Sequence, residues 1–133
     1  MSGQRLVYKM QTYKELIIWQ RSKELALLIY KTTAKFPVAE TYGLTSQMNR
    51  CSISIPSNIA EGWSRQSTKE FINFLYISRG SLSELETQLE IACNLKLISS
   101  EATNEIQITI TELSRMITTI IKKLKEKSLT ANR

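Results

Sequence analysis

The chain has 133 residues, with 18 Lys and Arg against 12 Asp and Glu, no His and two Cys. Its length fits one domain with one core, and 42% apolar residues are ample to fill it without disulfide or metal staples. The absence of histidine excludes Ser-His-Asp and Cys-His triads, imidazole metal sites and any imidazole base, leaving acid/base work to carboxylates or to unusual Lys and Tyr.

Four helical segments are predicted, separated by breaks at Pro37 to Gly43, at Gly62 and at Ser99-Ser100. In the first, Tyr13 to Phe36, the residues Leu16, Trp19, Ala26, Ile29, Tyr30 and Thr33 form an amphipathic stripe. Thr12 is its predicted N-cap, with Glu15 completing a capping box. The second runs from about Tyr42 to Glu61, with Leu44, Met48, Cys51, Ile55 and Ile59 on one face. Pro56 lacks the N–H that would bond the Ser52 carbonyl, so a kink is expected near it, with Ser52, Ser54 and Ser57 close enough to bond the freed groups.

Ser67 and Glu70 form a capping box that opens the third helix. Its stripe passes through Leu75, Ile77, Ser78, Leu82, Leu85, Leu89, Ala92 and Leu95, about thirty residues or roughly 45 Å. Gly80, in mid-helix, costs about 1 kcal/mol against Ala and is expected to admit a neighbouring helix at close range. The fourth helix, capped by Ser100, carries the seam Ile106, Ile110, Leu113, Ile117, Ile120 and Leu124. Glu residues stand toward its start and lysines at its end, as the helix dipole favours. The expected architecture is all-α, an antiparallel up-down four-helix bundle over residues 12–127, with an N-terminal extension at 1–11 and a frayed tail at 128–133.

Cys51 and Cys93 lie far apart without a CxxC spacing and are expected to be buried free thiols. The N-terminal stretch lacks a signal-peptide apolar core, and nowhere do 18 apolar residues run together, so a cytoplasmic protein with no membrane partner is expected. Glu86 and Glu90 are an i,i+4 pair that Glu61 could join, but carboxylate metal bundles complete their sites with histidine. No catalytic residue, metal, cofactor or small-molecule substrate is expected, and a Mg²⁺-dependent nuclease built on these carboxylates is the weakest of the readings. Asn58, Glu61 and Arg79 are read instead as an interhelical hydrogen-bond network or as solvent-facing groups.

The charge of +6 suits a polyanion, and it is unevenly spread: residues 1–35 hold seven Lys and Arg against two Glu, residues 67–98 three against four. Candidate nucleic-acid contacts are Arg50, Arg65, Lys69, Lys122, Lys123, Lys125 and Lys127. The four C-terminal lysines do not share one helix face, which makes them a diffuse phosphate-attracting tip. Trp63, beside Arg65 and Lys69, is open to base stacking, subunit contact or local packing.

The stretch from Tyr42 to Ala92, with SIPSNIAEG (Ser54 to Gly62), STKEF (Ser67 to Phe71) and RGSLSELETQL (Arg79 to Leu89), resembles the bacterial four-helix-bundle family encoded in intervening sequences of 23S ribosomal RNA genes. Tyr13 to Tyr30 resembles the first helix of that family, while the basic tail after Leu124 lies outside the resemblance. The resemblance implies a ring-shaped homopentamer and a distant relation to the accessory proteins of diversity-generating retroelements, which bind nucleic acid and reverse transcriptase. It implies no catalytic residues. Pro56, Asn58, Glu61, Gly62, Trp63, Arg79 and Gly80 therefore enter as positions that shape the fold or the assembly. The expected function is non-catalytic binding of ribosomal or other structured RNA by the basic surface of the pentamer. The alternative is a protein-interaction scaffold that docks a reverse transcriptase or a ribosomal protein.

Overall fold

The computed structural model describes residues 10–131, with side chains through 128. Four α-helices, α1 (Ile17–Thr33), α2 (Leu44–Trp63), α3 (Thr68–Asn94) and α4 (Ser100–Ala131), are joined by short connections, and among the described residues there is no strand. Helices adjacent in sequence pack together, and α1 also meets α4, which closes the bundle. Ser54 and Ile55 of α2 lie against Ser81 and Ser78 of α3, while Gly62 faces Phe71 and Phe74, so these two helices run antiparallel. Arg79 opposite Thr118 and Glu86 opposite Gln107 set the same relation between α3 and α4. Helix α4 continues to Ala131, past the expected boundary at 127; residues 1–9 of the extension and 132–133 of the tail lie outside the described residues.

The core is one cluster, with Ile18, Leu25 and Ile29 from α1 meeting Met48, Ile55 and Ile59 from α2. Leu75, Leu82, Leu85 and Leu89 from α3 and Ile110, Leu113, Ile117, Ile121 and Leu124 from α4 complete it. Two of the expected stripes are shifted. Ile18 and Leu25 are the deep residues of α1 while Tyr30 is 43% exposed, and on α4 Ile121 is buried where Ile120 was expected. On α3, Ile77 and Leu95 are exposed and Gln88 is buried.

The helix ends also differ from expectation in instructive ways. Thr12 and Glu15 organise a single 3-10 turn, Tyr13–Glu15, and α1 begins only at Ile17 after an extended Leu16. The Glu15 carboxylate accepts from Gln11 N–H at 3.2 Å, so the reciprocal bond falls one residue early. Ser67 caps α3 as read, its Oγ accepting from Glu70 N–H at 3.1 Å, while the Glu70 carboxylate accepts from the Ser67 hydroxyl rather than from its backbone N–H. Helix α4 is capped by Ser99 rather than Ser100, since Ser99 Oγ accepts from Ala102 N–H at 3.1 Å. Between α3 and α4, Lys96 adopts φ 62°, and the bonds Leu97 N–H to Ala92 O and Lys96 N–H to Cys93 O, each 2.9 Å, form a Schellman closure with lysine where glycine is usual.

Gly62 does not end α2 but lies inside it, one residue before the end. It is also the glycine that admits a neighbour, because a Cβ there would stand 2.6 Å from Phe74 Cβ and 3.0 Å from Phe71 Cδ1. Gly80, expected in that role, faces open space, with nothing within 4 Å of a built Cβ. Pro56 sits within α2, and hydroxyls around it reach nearby carbonyls: Ser52 that of Asn49, Ser54 that of Cys51, and Ser78 across the seam that of Ile55. Small side chains and a glycine thus line the α2–α3 seam, so the two backbones lie close enough for hydroxyl-to-carbonyl bonds between helices.

Candidate nucleic-acid interface

The α2–α3 turn, the last turns of α4 and the 3-10 turn before α1 share one end of the bundle. Arg65, Lys69, Lys122, Lys123, Lys125 and Lys127 gather at that end, all exposed. Arg50 is separate, fifteen residues before Arg65 along the chain and about 20 Å away along the axis. Three of the carboxylates at this end are engaged locally: Glu61 pairs with Arg65 at 2.6 Å, Glu70 accepts from Ser67 Oγ at 3.1 Å and Glu15 accepts from Gln11 N–H at 3.2 Å; Glu126 stands there too, among the α4 lysines. Glu84, Glu86, Glu90, Glu101 and Glu105 lie toward the other end, so the molecule is charge-polarised along its axis.

The most organised part of the basic end lies where α3 faces α4. The half-buried Tyr76 ring has the Arg79 guanidinium and the Lys125 ammonium each 4.9 Å from its centroid. Arg79 also donates from Nη1 to Thr118 Oγ1 at 3.2 Å. Arg115, Thr118, Lys122 and Lys125 recur at intervals of three, four and three on α4, a stripe beside α3. Reading only the four terminal lysines misses it; the spacing from Arg115 onward would have shown it. Tyr76, grouped in sequence with core aromatics, is instead the ring that both cations approach.

The remaining expected site residues have local roles. Asn58 donates to Ser54 O at 2.7 Å within its own helix, and Glu61 and Arg79 have separate partners, so the three do not form one network. Trp63 packs against the core, and its Nε1 is buried without a partner among the described residues. Arg65 lies 5.0 Å over the Phe74 ring while it pairs with Glu61. Glu61 stands at the level of Phe71 and Phe74, about 20 Å along α3 from Glu86 and Glu90, so these carboxylates are not brought together. Among the described residues no group of three or more His, Cys, Asp or Glu could hold a metal ion, and no helix is long and apolar enough to cross a membrane.

Both cysteines are free. Cys51 is buried with Sγ 3.1 Å from Ser81 O; burial first, then the nearby Glu84 charge, pushes its thiol from 9.0 up to about 12. Cys93 is half-buried. Because the thiolate is the nucleophile, iodoacetamide at pH 8 is expected to modify one thiol per folded chain, at Cys93, with Cys51 reacting only after unfolding. Peptide mass mapping would show it, and rapid labelling of Cys51 in the folded protein would contradict the packing described.

A solved structure from Bacteroides thetaiotaomicron VPI-5482, described as a protein of unknown function from the S23 ribosomal protein family, is similar to this chain at 31% identity with a TM-score of 0.71. The match covers 80% of this chain and 99% of that one. No curated protein matches. The family model for the 23S rRNA-intervening sequence protein matches residues 14–119, which spans all of α1 to α3 and most of α4. With four fifths of its length matched and the same helical fold, the chain belongs to the 23S rRNA-intervening sequence protein family.

Proposed function

We propose that this protein is a non-catalytic RNA-binding protein that works as a homopentameric ring, with ribosomal or other structured RNA held on its basic ends. The observation that carries this reading is the polarisation: exposed Lys and Arg collect at one end, where the acidic neighbours are already bonded. Five subunits at +6 each would add many weak phosphate contacts, so affinity comes from multiplicity rather than from base readout. Self-association is supported by Ile53 on α2 and Ile77 on α3, large apolar side chains left 44% and 50% exposed in the single chain. The relation to retroelement accessory proteins belongs to the same reading.

The test is a titration of purified protein against a fluorescent 23S rRNA fragment, a random RNA of equal length and a DNA duplex, at several salt concentrations. Mass by sedimentation would be measured in parallel. Expected are a mass five times the 15.3 kDa subunit, submicromolar binding at low salt and a steep loss as salt rises. Preference for the rRNA fragment would mark ribosomal RNA as the target. No binding to any nucleic acid at low salt would overturn the reading in favour of a scaffold that docks a protein.

A further inference from the structure

Fifteen of the Lys and Arg residues lie among the described residues, and Arg79 alone of them is not exposed. A fixed charge on a half-buried residue normally has a carboxylate beside it, because an opposite charge offsets whatever hydration is lost. Arg79 has none. Its partners are a neutral hydroxyl, Thr118 Oγ1 at 3.2 Å, and a neutral ring, Tyr76 at 4.9 Å. The other cation at that ring, Lys125, has no ion-pair partner among the described residues either. Two positive groups are thus held against one aromatic ring, with no carboxylate paired to either among the described residues.

The arrangement has the donor set of an oxyanion subsite. The Thr118 bond uses one of the five guanidinium N–H donors and fixes the plane of the fork, so several remain for a phosphate. Tyr76 restrains both cations, which removes part of the side-chain entropy that a free Arg and Lys would lose on binding. Lys122 and Arg115 extend the positive line along α4 on the same side. A phosphate on Arg79 would therefore belong to a chain whose neighbouring phosphates also meet cations.

We infer that Arg79, its fork positioned by Thr118 and Tyr76, forms a preorganised site for one backbone phosphate of the bound strand, with Lys125 a neighbouring cation held at the same ring. This rests on the RNA-binding reading and goes beyond it, because it replaces a diffuse field at this point with a shaped site and makes Tyr76 a positioning residue. Arginine and lysine are then not interchangeable at position 79, since lysine keeps the charge but loses the planar fork.

The experiment compares Arg79→Gln, Arg79→Lys, Tyr76→Leu and, as a charge-matched control, Lys123→Gln. Binding to a 20-nucleotide RNA is read across a salt series, and helicity and sedimentation mass are checked for every variant. In parallel, the Arg79 Nε–H resonance of the unaltered protein is followed as inorganic phosphate, or chloride at equal ionic strength, is added. Expected are about a tenfold loss for Arg79→Gln, a loss of more than threefold for Arg79→Lys with its salt dependence retained, and a smaller loss for Tyr76→Leu. The resonance should shift with phosphate and not with chloride.

If Arg79→Lys binds as the unaltered protein does and Arg79→Gln loses no more than Lys123→Gln, the shaped subsite is overturned while RNA binding stands. If RNA is not bound at all but phosphate shifts Arg79, the subsite stands and the RNA reading fails, leaving free phosphate as the ligand. If Arg79→Gln lowers the sedimentation mass and phosphate shifts nothing, Arg79 serves a contact between subunits and the inference is overturned.

Discussion

Replacing Gly62 by alanine is expected to destabilise the bundle by about 2 kcal/mol, although alanine is the better helix former by about 1 kcal/mol. The reason lies across the seam: the added methyl would stand 2.6 Å from Phe74 Cβ, an atom fixed to the α3 backbone, and 3.0 Å from Phe71 Cδ1. A flexible side-chain tip could swing away, but a Cβ cannot, so α2 and α3 must separate. Separation would strain the Ser78 to Ile55 O bond of 3.0 Å and the Ser54–Ser81 contact of 2.8 Å, which need the helices at their present distance. Urea unfolding followed by circular dichroism would measure the loss, and leucine at the same position should prevent cooperative folding. An unchanged midpoint for Gly62→Ala would mean that the seam is far more pliable than its contacts indicate.

The same substitution at Gly80 should have the opposite sign within a subunit, a gain of about 0.5–1 kcal/mol, since nothing lies within 4 Å of the added methyl. Loss of sedimentation mass in that variant would instead mark close packing of a second subunit on this face. The two glycines show what periodicity could and could not convey. Gly80 was read as the mid-helix glycine that admits a neighbour and Gly62 as a break, whereas Gly62 lies inside α2 and is the one packed against α3. Which one faces another helix depends on the rotation of α2 and α3 about their axes, a property of how four stripes pack together. The same rotation explains why Ile121 rather than Ile120, and Ile18 with Leu25 rather than Tyr30, lie inward. At Ile120 and Ile121 two adjacent apolar positions competed for one slot, and the packing of the other three helices chose.

The number of helices, their order and the Ser67 cap were legible because each rests on local spacing and on a short-range bond. The first helix was read less well at its start, where Thr12 and Glu15 carry capping chemistry but organise a 3-10 turn. At the candidate interface the lysines were legible as charge, whereas the Tyr76, Arg79 and Lys125 group was not. Lys125 is forty-nine residues from Tyr76 in sequence, and only the antiparallel register of α3 and α4 brings them together.

That register also sorts the four C-terminal lysines, which yields the second large effect. At 100° per residue, Lys122 and Lys125 share the side of α4 that carries Arg115 and Thr118, while Lys123 and Lys127 share another. Replacing all four by glutamine should weaken RNA binding by between about fortyfold and a thousandfold at 0.1 M salt, taking the slope of log K against log[salt] as about −0.8 for each phosphate neutralised, the upper value holding only if all four lysines meet phosphates. Lys122→Gln with Lys125→Gln alone should account for about fortyfold of that and flatten the slope by about 1.5. Lys123→Gln with Lys127→Gln removes the same charge from the same helical turns, so any smaller loss isolates the contribution of position from that of net charge. Fluorescence titrations in parallel salt series would separate the cases. Equal losses for the two pairs would return the lysines to a diffuse tip in which only the total charge counts. Unchanged binding in the fourfold variant would remove this end of the bundle from the interface and shift attention to Arg50 and the basic residues of α1.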